Sequence, residues 1–463
     1  MGKNVKLGKL TMFNIVLFGF MGQVAWAVEN NYFNTFLFNV IGGTSKDISH
    51  MVAASSVVAV LATLLMGTLS DKVNKRKVFI CGGYILWGFT VMAFAFISRE
   101  SIGGLLGIPA VQAVTATVCA VIIMDCIMTF MGSTSNDAAF NAWITDITVP
   151  ENRARTEGVL ATLPVLAMVI VTVAFGVLAS SFGYPACFIG LGILVTICGI
   201  VGLFTVKDSL TGEKKDTHFF EELFYGFRPS VIKSNRGLYL SLACLSIYCV
   251  AVQVFFPYLF IYVQHQIGLD FGSLNITPGL AVAAVLVIGG VIAGAIIMGS
   301  LMDKKGRAPF AIPSVLLLMV GLVAVFFAKN LATFAIFAVV FLAGYGLMAI
   351  LLSAAVRDFT PEGKAGSFQG VRMIFAVMIP MIIGPAIGSA VTEAFAVKTY
   401  TNDYSEIVNV PPPHIFIAAA AVALLVLIPL AFLIKEWKSV ERRNAETQEI
   451  VAVADADEEK AGE

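Results

Sequence analysis

The sequence predicts an all-α membrane protein of twelve transmembrane helices, built as two copies of a six-helix unit. Three observations predict it. The chain is 58% hydrophobic and only 13% charged, against about 25% charged in a soluble globular protein, so it has too little polar surface to face water all round. Apolar runs of roughly 20 residues, the length that crosses a hydrocarbon core, recur along it. Two short charged motifs also return at matching places in the two halves.

The first run, at about 11–38, resembles a signal peptide only at its start. It is too long, shows no small-residue cleavage site and continues through a polar cluster, so it is expected to be retained as the first span. Further runs follow at about 51–69, 78–98, 112–142, 158–180 and 185–206. The second half gives runs at about 237–264, 278–300, 309–328, 331–356, 367–391 and 412–435. These define an expected six-helix unit over 1–206, a cytoplasmic linker over 207–236, a second unit over 237–436 and a polar, disordered cytoplasmic tail over 437–463. Within the linker, "FFEELFYGF" has the pattern of a short amphipathic helix on the membrane surface. The tail ends in "ADADEEKAGE", too polar to bury a core.

Charge placement orients the spans. Lys and Arg are retained on the cytoplasmic side. With the N-terminus inside, only Lys46, Arg99, Lys329 and Lys398 of the 30 basic residues fall in outer loops. Both termini are therefore expected to be cytoplasmic, in a multi-pass protein of the cell (inner) membrane. A formal net charge of zero gives no case for nucleic acid. The seven cysteines all lie in apolar runs without metal-type spacing, and read as small buried hydrophobes. No phosphate-binding loop, metal cluster or nucleophile triad is present, so neither a cofactor nor an enzyme activity is expected.

The repeat lies in the loops. "GTLSDKVNKRK" (Gly67–Lys77) follows the second run and "GSLMDKKGRAP" (Gly299–Pro309) the eighth. "DITVPENRARTEGV" (Asp146–Val159) follows the fourth and "DFTPEGKAGSFQGV" (Asp358–Val371) the tenth. Six spans have been duplicated in parallel. The Gly-x-x-x-Asp-Lys-x-x-x-Arg pattern of the first of these loops, echoed in the second half, resembles the signature loop of the major facilitator superfamily. That resemblance implies two six-helix bundles rocking about a central site. Gly67 would let two helices approach closely. Asp71 and Arg76, with Asp303 and Arg307 in the second copy and Asp146 and Asp358 in the other loop pair, are the expected gating residues.

The first run holds "GQVAWAVENNYFNTFLF", Gly22 to Phe38. Its Gly-Gln-x-x-Trp-Ala-x-Glu resembles the first helix of the glycoside–pentoside–hexuronide cation symporters, notably the sucrose-carrier branch. "MDCIMTFMGSTSNDAAFNAWITD" (Met124–Asp146) is similar to that branch's fourth helix, and "FFPYLF" (Phe255–Phe260) to its seventh. The Asp-Thr-Asp-Trp pattern that follows there reads Ile261–Gln264 here, and the second run lacks the paired acids that bind sodium in the melibiose carrier. The resemblance therefore favours protons as the coupling ion.

At 100° per residue, Gln23, Asn30 and Asn34 fall within about 40° of one another, with Trp26 beside them, Glu29 a third of a turn away and Asn31 off the stripe. Amides pair with sugar hydroxyls and an indole face stacks on a pyranose ring; the alternative is an amide ladder gluing helices together. Asp125, Thr129, Gly132 and Asn136 share a face of the fourth run, with Asp137 a third of a turn round. On the seventh run Gln253, Phe256, Phe260 and Gln264 align, and Pro257 breaks the ladder between them. Expected proton-coupling residues are Glu29, Asp125 and Asp137, since a mid-bilayer carboxylate is costly and marks function. Expected substrate residues are Gln23, Trp26, Asn30, Asn34, Asn136, Gln253 and Phe256. No Lys or Arg lies mid-run, so a neutral substrate is favoured over an anion. The expected partners are a sugar or glycoside, a proton and the lipid bilayer. Two alternatives remain open: an exporter of cationic or apolar drug-like compounds, and a sugar sensor on the same fold that transports nothing. The fifth run lacks the Gly-Pro-x-x-Gly-Gly element of superfamily antiporters, and a partial version, "GPAIG" (Gly384–Gly388), lies in the eleventh run instead, which weakens the export reading without removing it.

Overall fold

A computed structural model gives the fold. It describes residues 7–73, 75–148, 150–208, 226–269, 289–290, 294, 297–298, 301–302, 304–361, 365–402, 404–440 and 442. Ten helices among these are long and apolar enough to cross a membrane. They are α1 (Lys9–Ile41), α2 (Ser45–Ser70), α3 (Arg76–Phe96), α4 (Ala110–Ile147), α6 (Gly176–Thr205), α7 (Arg236–Ile267), α8 (Ala308–Phe326), α9 (Leu331–Phe359), α10 (Gly370–Phe395) and α11 (His414–Val440). α5 (Pro150–Ile170) is also helical, with a shorter apolar stretch, Gly158–Ile170. The predicted span at 278–300 lies largely outside the described residues, as do most of the predicted surface helix and the tail beyond 442. α11 runs through Val440, a few residues past the predicted end of the second unit at 436.

The helix ends follow local chemistry. α1 stops at Gly42, whose φ of 77° is left-handed and suits a residue without Cβ. α9 starts at Asn330, whose side chain accepts from the Thr333 amide while the Thr333 hydroxyl accepts from the Asn330 amide. The predicted break between the runs at 158–180 and 185–206 is a reversal of the chain between two helices. Gly183, at φ 77° and ψ 163°, turns the chain just before Pro185.

Side-chain contacts fix how the helices run. Gly19 of α1 faces Leu160 and Leu163 of α5, and further along Tyr32 donates to the Thr172 carbonyl at 3.0 Å, so α1 and α5 are parallel. After Gly183 the chain returns antiparallel: Phe188 packs on Phe33, and Gly202 lies against Phe18. α3 and α6 meet through glycines, because a Cβ on Gly88 or Gly192 would strike the other helix's backbone. α8 and α9 do the same in the second half, through Gly321 against Phe341 and Gly344 against Leu318. The molecule's flanks carry exposed Leu61, Ile123, Phe204, Ile336 and Ile428, an apolar surface suited to lipid.

Both ends of the helices are marked by ion pairs. At the end carrying the N-terminus, Arg76 Nε lies 3.0 Å from Asp146 Oδ2 within the first half, and Arg307 pairs with Asp358 within the second. The internal repeat thus places the same Arg–Asp pair in each half. The opposite end carries an antiparallel hairpin, β1 (Thr399–Thr401) and β2 (Ile407–Asn409), with Tyr400 opposite Val408. We call it the hairpin end.

Candidate functional site

The polar residues of α1 and α4 do not sit on ordinary α-helix. Glu29–Phe33 and Leu37–Ile41 of α1 are π-helical, and so is Ser133–Phe140 of α4. A π turn widens the helix and leaves carbonyls without their usual i+4 amide. Side chains fill that role here. Asn30, Asn31, Asn34 and Thr35 each donate to the carbonyl four residues back, at 2.7–2.9 Å. Thr134, Ser135 and Asn141 do the same in α4. Short polar side chains that bond their own backbone in this way stabilise departures from α geometry. Widened turns of this kind are frequent at functional sites.

This changes how the amide stripe is read. One N–H of the Asn30 and of the Asn34 side-chain amide is engaged with the helix itself, which leaves each residue its oxygen and one N–H. The Oδ1 atoms of Asn31 and Asn34 are buried without a hydrogen-bond partner. Asn136 is buried as well, and its Nδ2 donates to the Tyr84 hydroxyl at 2.7 Å, which donates in turn to the Phe18 carbonyl at 2.6 Å. That chain ties α4, α3 and α1 together. Gln23 and Trp26 are half-buried, and Trp26 packs on Trp87 with ring centroids 4.9 Å apart. Gln253 and Phe256 are half-buried on α7, and Gly384 of α10 lies against the Gln253 backbone and Cβ.

Glu29 and Asp125 come together between α1 and α4. Glu29 accepts from the Thr129 hydroxyl at 2.9 Å, which joins α1 to α4 directly. Asp125 and Asp137 are both within electrostatic reach of Glu29. Asp125 is 2% exposed and one helical turn from Thr129, and Ser55 of α2, whose hydroxyl donates to the Val52 carbonyl at 3.3 Å, lies beside it. Asp137 accepts from Ser133 at 3.0 Å. One oxygen of Glu29 and one of Asp125 are buried with no partner in the protein. Among the described residues, no lysine or arginine pairs with any of the three. A charged carboxylate taken out of water needs a counter-charge or a full set of hydrogen bonds. This cluster has neither, so it is suited to take up a proton or a cation.

Of the expected gating residues, Arg76, Asp146, Arg307 and Asp358 form the two repeated pairs already described. Asp71 lies in the helical stretch Ser45–Val73. Asp303 lies outside the described residues. Sequence reasoning missed three participants: Ser55, Tyr84 and the glycine-lined α3–α6 contact that holds Tyr84 and Trp87 in place. The signal available for Tyr84 was weak, one hydroxyl in an apolar helix.

Membrane-spanning helices in two halves, an internal repeat and acids between helices that no basic residue pairs with are the features of a polytopic helical membrane protein. Its sequence matches the model of the Major Facilitator Superfamily over residues 12–297 and 279–456. The chain belongs to that superfamily, and is a transporter rather than an enzyme. Solved structures agree on the fold. A bacterial homologue of the human lysosomal transporter Spinster, inward-facing and unoccupied, is 13% identical with a TM-score of 0.68, over 94% of this chain and 99% of that one. The nucleoside transporter NupG is 11% identical with a TM-score of 0.62, over 92% of this chain and 100% of that one. No curated protein matches the chain in sequence.

Proposed function

We propose that the protein is a proton-coupled symporter of a neutral sugar or glycoside, working by alternating access in the cell membrane. The observation that carries the coupling is the Glu29–Thr129 contact, with Asp125 and Asp137 close by and no basic partner. Protonation removes the cost of a buried charge, so the cluster is stable when closed only if loaded. Opening to a compartment of higher pH then unloads it. Gln23, Trp26, Gln253 and Phe256 supply amide and ring surfaces for a glycoside, with Asn30 and Asn34 contributing oxygens. NupG, which shares the fold, is a nucleoside transporter, and a nucleoside is itself a neutral glycoside, which supports this substrate class. The two Arg–Asp pairs at the N-terminal end, together with Asp71 and Asp303, would steady each bundle while the halves rock.

The same three acids support a second reading, export of a cationic compound that they would hold directly. One paired measurement tests both: accumulation of labelled sugars in vesicles under a pH gradient, and counterflow at equal pH. Glu29→Gln or Asp125→Asn should abolish uphill accumulation and keep counterflow, since exchange needs no net proton movement. Uphill accumulation retained in both variants would move the coupling site elsewhere, to Asp137 first. Cation efflux without sugar uptake in the native protein would replace this reading by the second.

A further inference from the structure

The hairpin end joins the two halves by a structure that the coupling site does not use. Arg99 opens the short helix Arg99–Leu106 after α3 and is fully buried, although it carries a charge. Its Nε donates to the Ile41 carbonyl, the last residue of α1, at 2.7 Å. Its two terminal nitrogens donate to the two carboxylate oxygens of Glu406 at 2.9 and 2.5 Å. Glu406 immediately precedes the hairpin's second strand, in the other half of the chain. The Tyr404 ring covers the guanidinium, 4.1 Å from its carbon, and the Tyr404 hydroxyl donates to Glu100 at 2.8 Å. Asn402 donates to Glu406 at 2.9 Å and closes the ring of contacts.

Bidentate pairing, a cation over an aromatic face and a backbone carbonyl satisfy the guanidinium on every side. A buried arginine is stable only under such conditions. Any opening of this end would expose the charge and separate it from Glu406. The same hairpin is stacked into the gap between the halves, with Tyr400 against His265 of α7 at 4.3 Å and against Phe38 of α1 at 6.1 Å. Asn39 of α1 donates to Gln264 at 2.9 Å and meets His265 Nε2 at 2.8 Å. The Tyr258 hydroxyl of α7 shares its one proton between the Pro385 carbonyl at 2.7 Å and the Ser45 carbonyl, at the start of α2, at 3.0 Å.

We propose that the 399–409 hairpin is a lid over the hairpin end, and that the Arg99–Glu406 contact is its latch, holding that end closed. Because Arg99 is anchored on the last carbonyl of α1, the latch fastens the helix that carries Glu29. Its release accompanies opening of the site towards the hairpin side. The proposal rests on the alternating-access part of the reading above, but not on the sugar or the proton.

The test uses Ser45→Cys as reporter, because Ser45 is 4% exposed and lies behind the closed contacts. Full-length protein in nanodiscs, open to reagent from both faces, is labelled with a charged thiol reagent. The native cysteines are subtracted using protein without the reporter. Glu406→Gln should speed labelling at least about tenfold, the order expected on losing a charge-assisted pair that is made in one state only. Glu406→Asp, which keeps the charge on a shorter stem, should fall between. If Glu406→Gln does not reach the membrane, Glu406→Asp against the native chain decides the matter, with a several-fold increase expected. Labelling unchanged from native in whichever variant folds would overturn the latch. A failure of sugar symport would leave this labelling as it is, so the two ideas fail separately.

Discussion

Asn136 and Gln23 carry the same functional group and stand in different surroundings. Asn136 is buried and its amide holds Tyr84, whose hydroxyl holds the α1 backbone. Gln23 is half-buried one helix away. Asn136→Ala should therefore act on stability, costing about 1 kcal/mol for the lost hydrogen bond, read as a lower unfolding temperature in detergent with little change in apparent substrate affinity. Gln23→Ala should do the reverse, raising KM at normal abundance. An affinity loss in Asn136→Ala without any stability loss would put Asn136 back in the site. The sequence placed both residues on polar stripes and could not separate them, because the partner that distinguishes them, Tyr84, is 52 residues away in the chain.

At the scale of elements, the contact between α3 and α6 shows how little space separates these helices. Gly192 faces the Gly88 carbonyl and Met92, whereas Gly190, two residues earlier, has nothing within 4 Å of a built Cβ. Gly192→Leu should force the helices apart at a cost of about 1–3 kcal/mol or more, seen as lost abundance and early unfolding. Gly190→Leu, on the same helix and facing outwards, should be tolerated. Equal effects of the two would remove the glycine contact as a determinant of packing. The spans themselves were legible, since a run of apolar residues is read without knowing its neighbours. The π turns were not. Widening at Glu29–Phe33 and Ser133–Phe140 balances backbone bonds against side-chain donors, and the polar run that signalled a ligand site also serves that balance.

For the whole molecule, closure of the hairpin end should depend on pH through the proposed latch. The hydrogen bonds from Arg99, aided by those from Asn402, hold the Glu406 carboxyl below the usual glutamate range despite its partial burial. Glu100, bonded to Tyr404, is lowered as well. A lowered value means that the charged, latched form gains stability above the ordinary glutamate pKa of about 4.3, and loses it as pH falls through the lower latched value. Labelling of Ser45→Cys, normalised to a free thiol, should thus stay flat from about pH 8 to 5 and rise only below about pH 4. A rise already between pH 7 and 5 would assign the control of this end to another group, with His265 against Tyr400 the first to examine.

From the sequence alone came the class of protein, most of the apolar spans, the repeat and the acids worth naming. Each depends on local composition or spacing, and the membrane forces such patterns into view because every spanning segment must be apolar and must satisfy its own backbone. Tertiary structure decided which polar groups meet. It joined Glu29 to Thr129 across two helices, gave Asn136 to Tyr84, paired Arg76 with Asp146, and carried Glu406 to Arg99 from more than 300 positions away. In the sequence, Arg99 was only one of four basic residues on the wrong side of a charge rule. Its meaning lay in a partner from the other half, and pairing between halves is set by how two bundles dock, which no local pattern records.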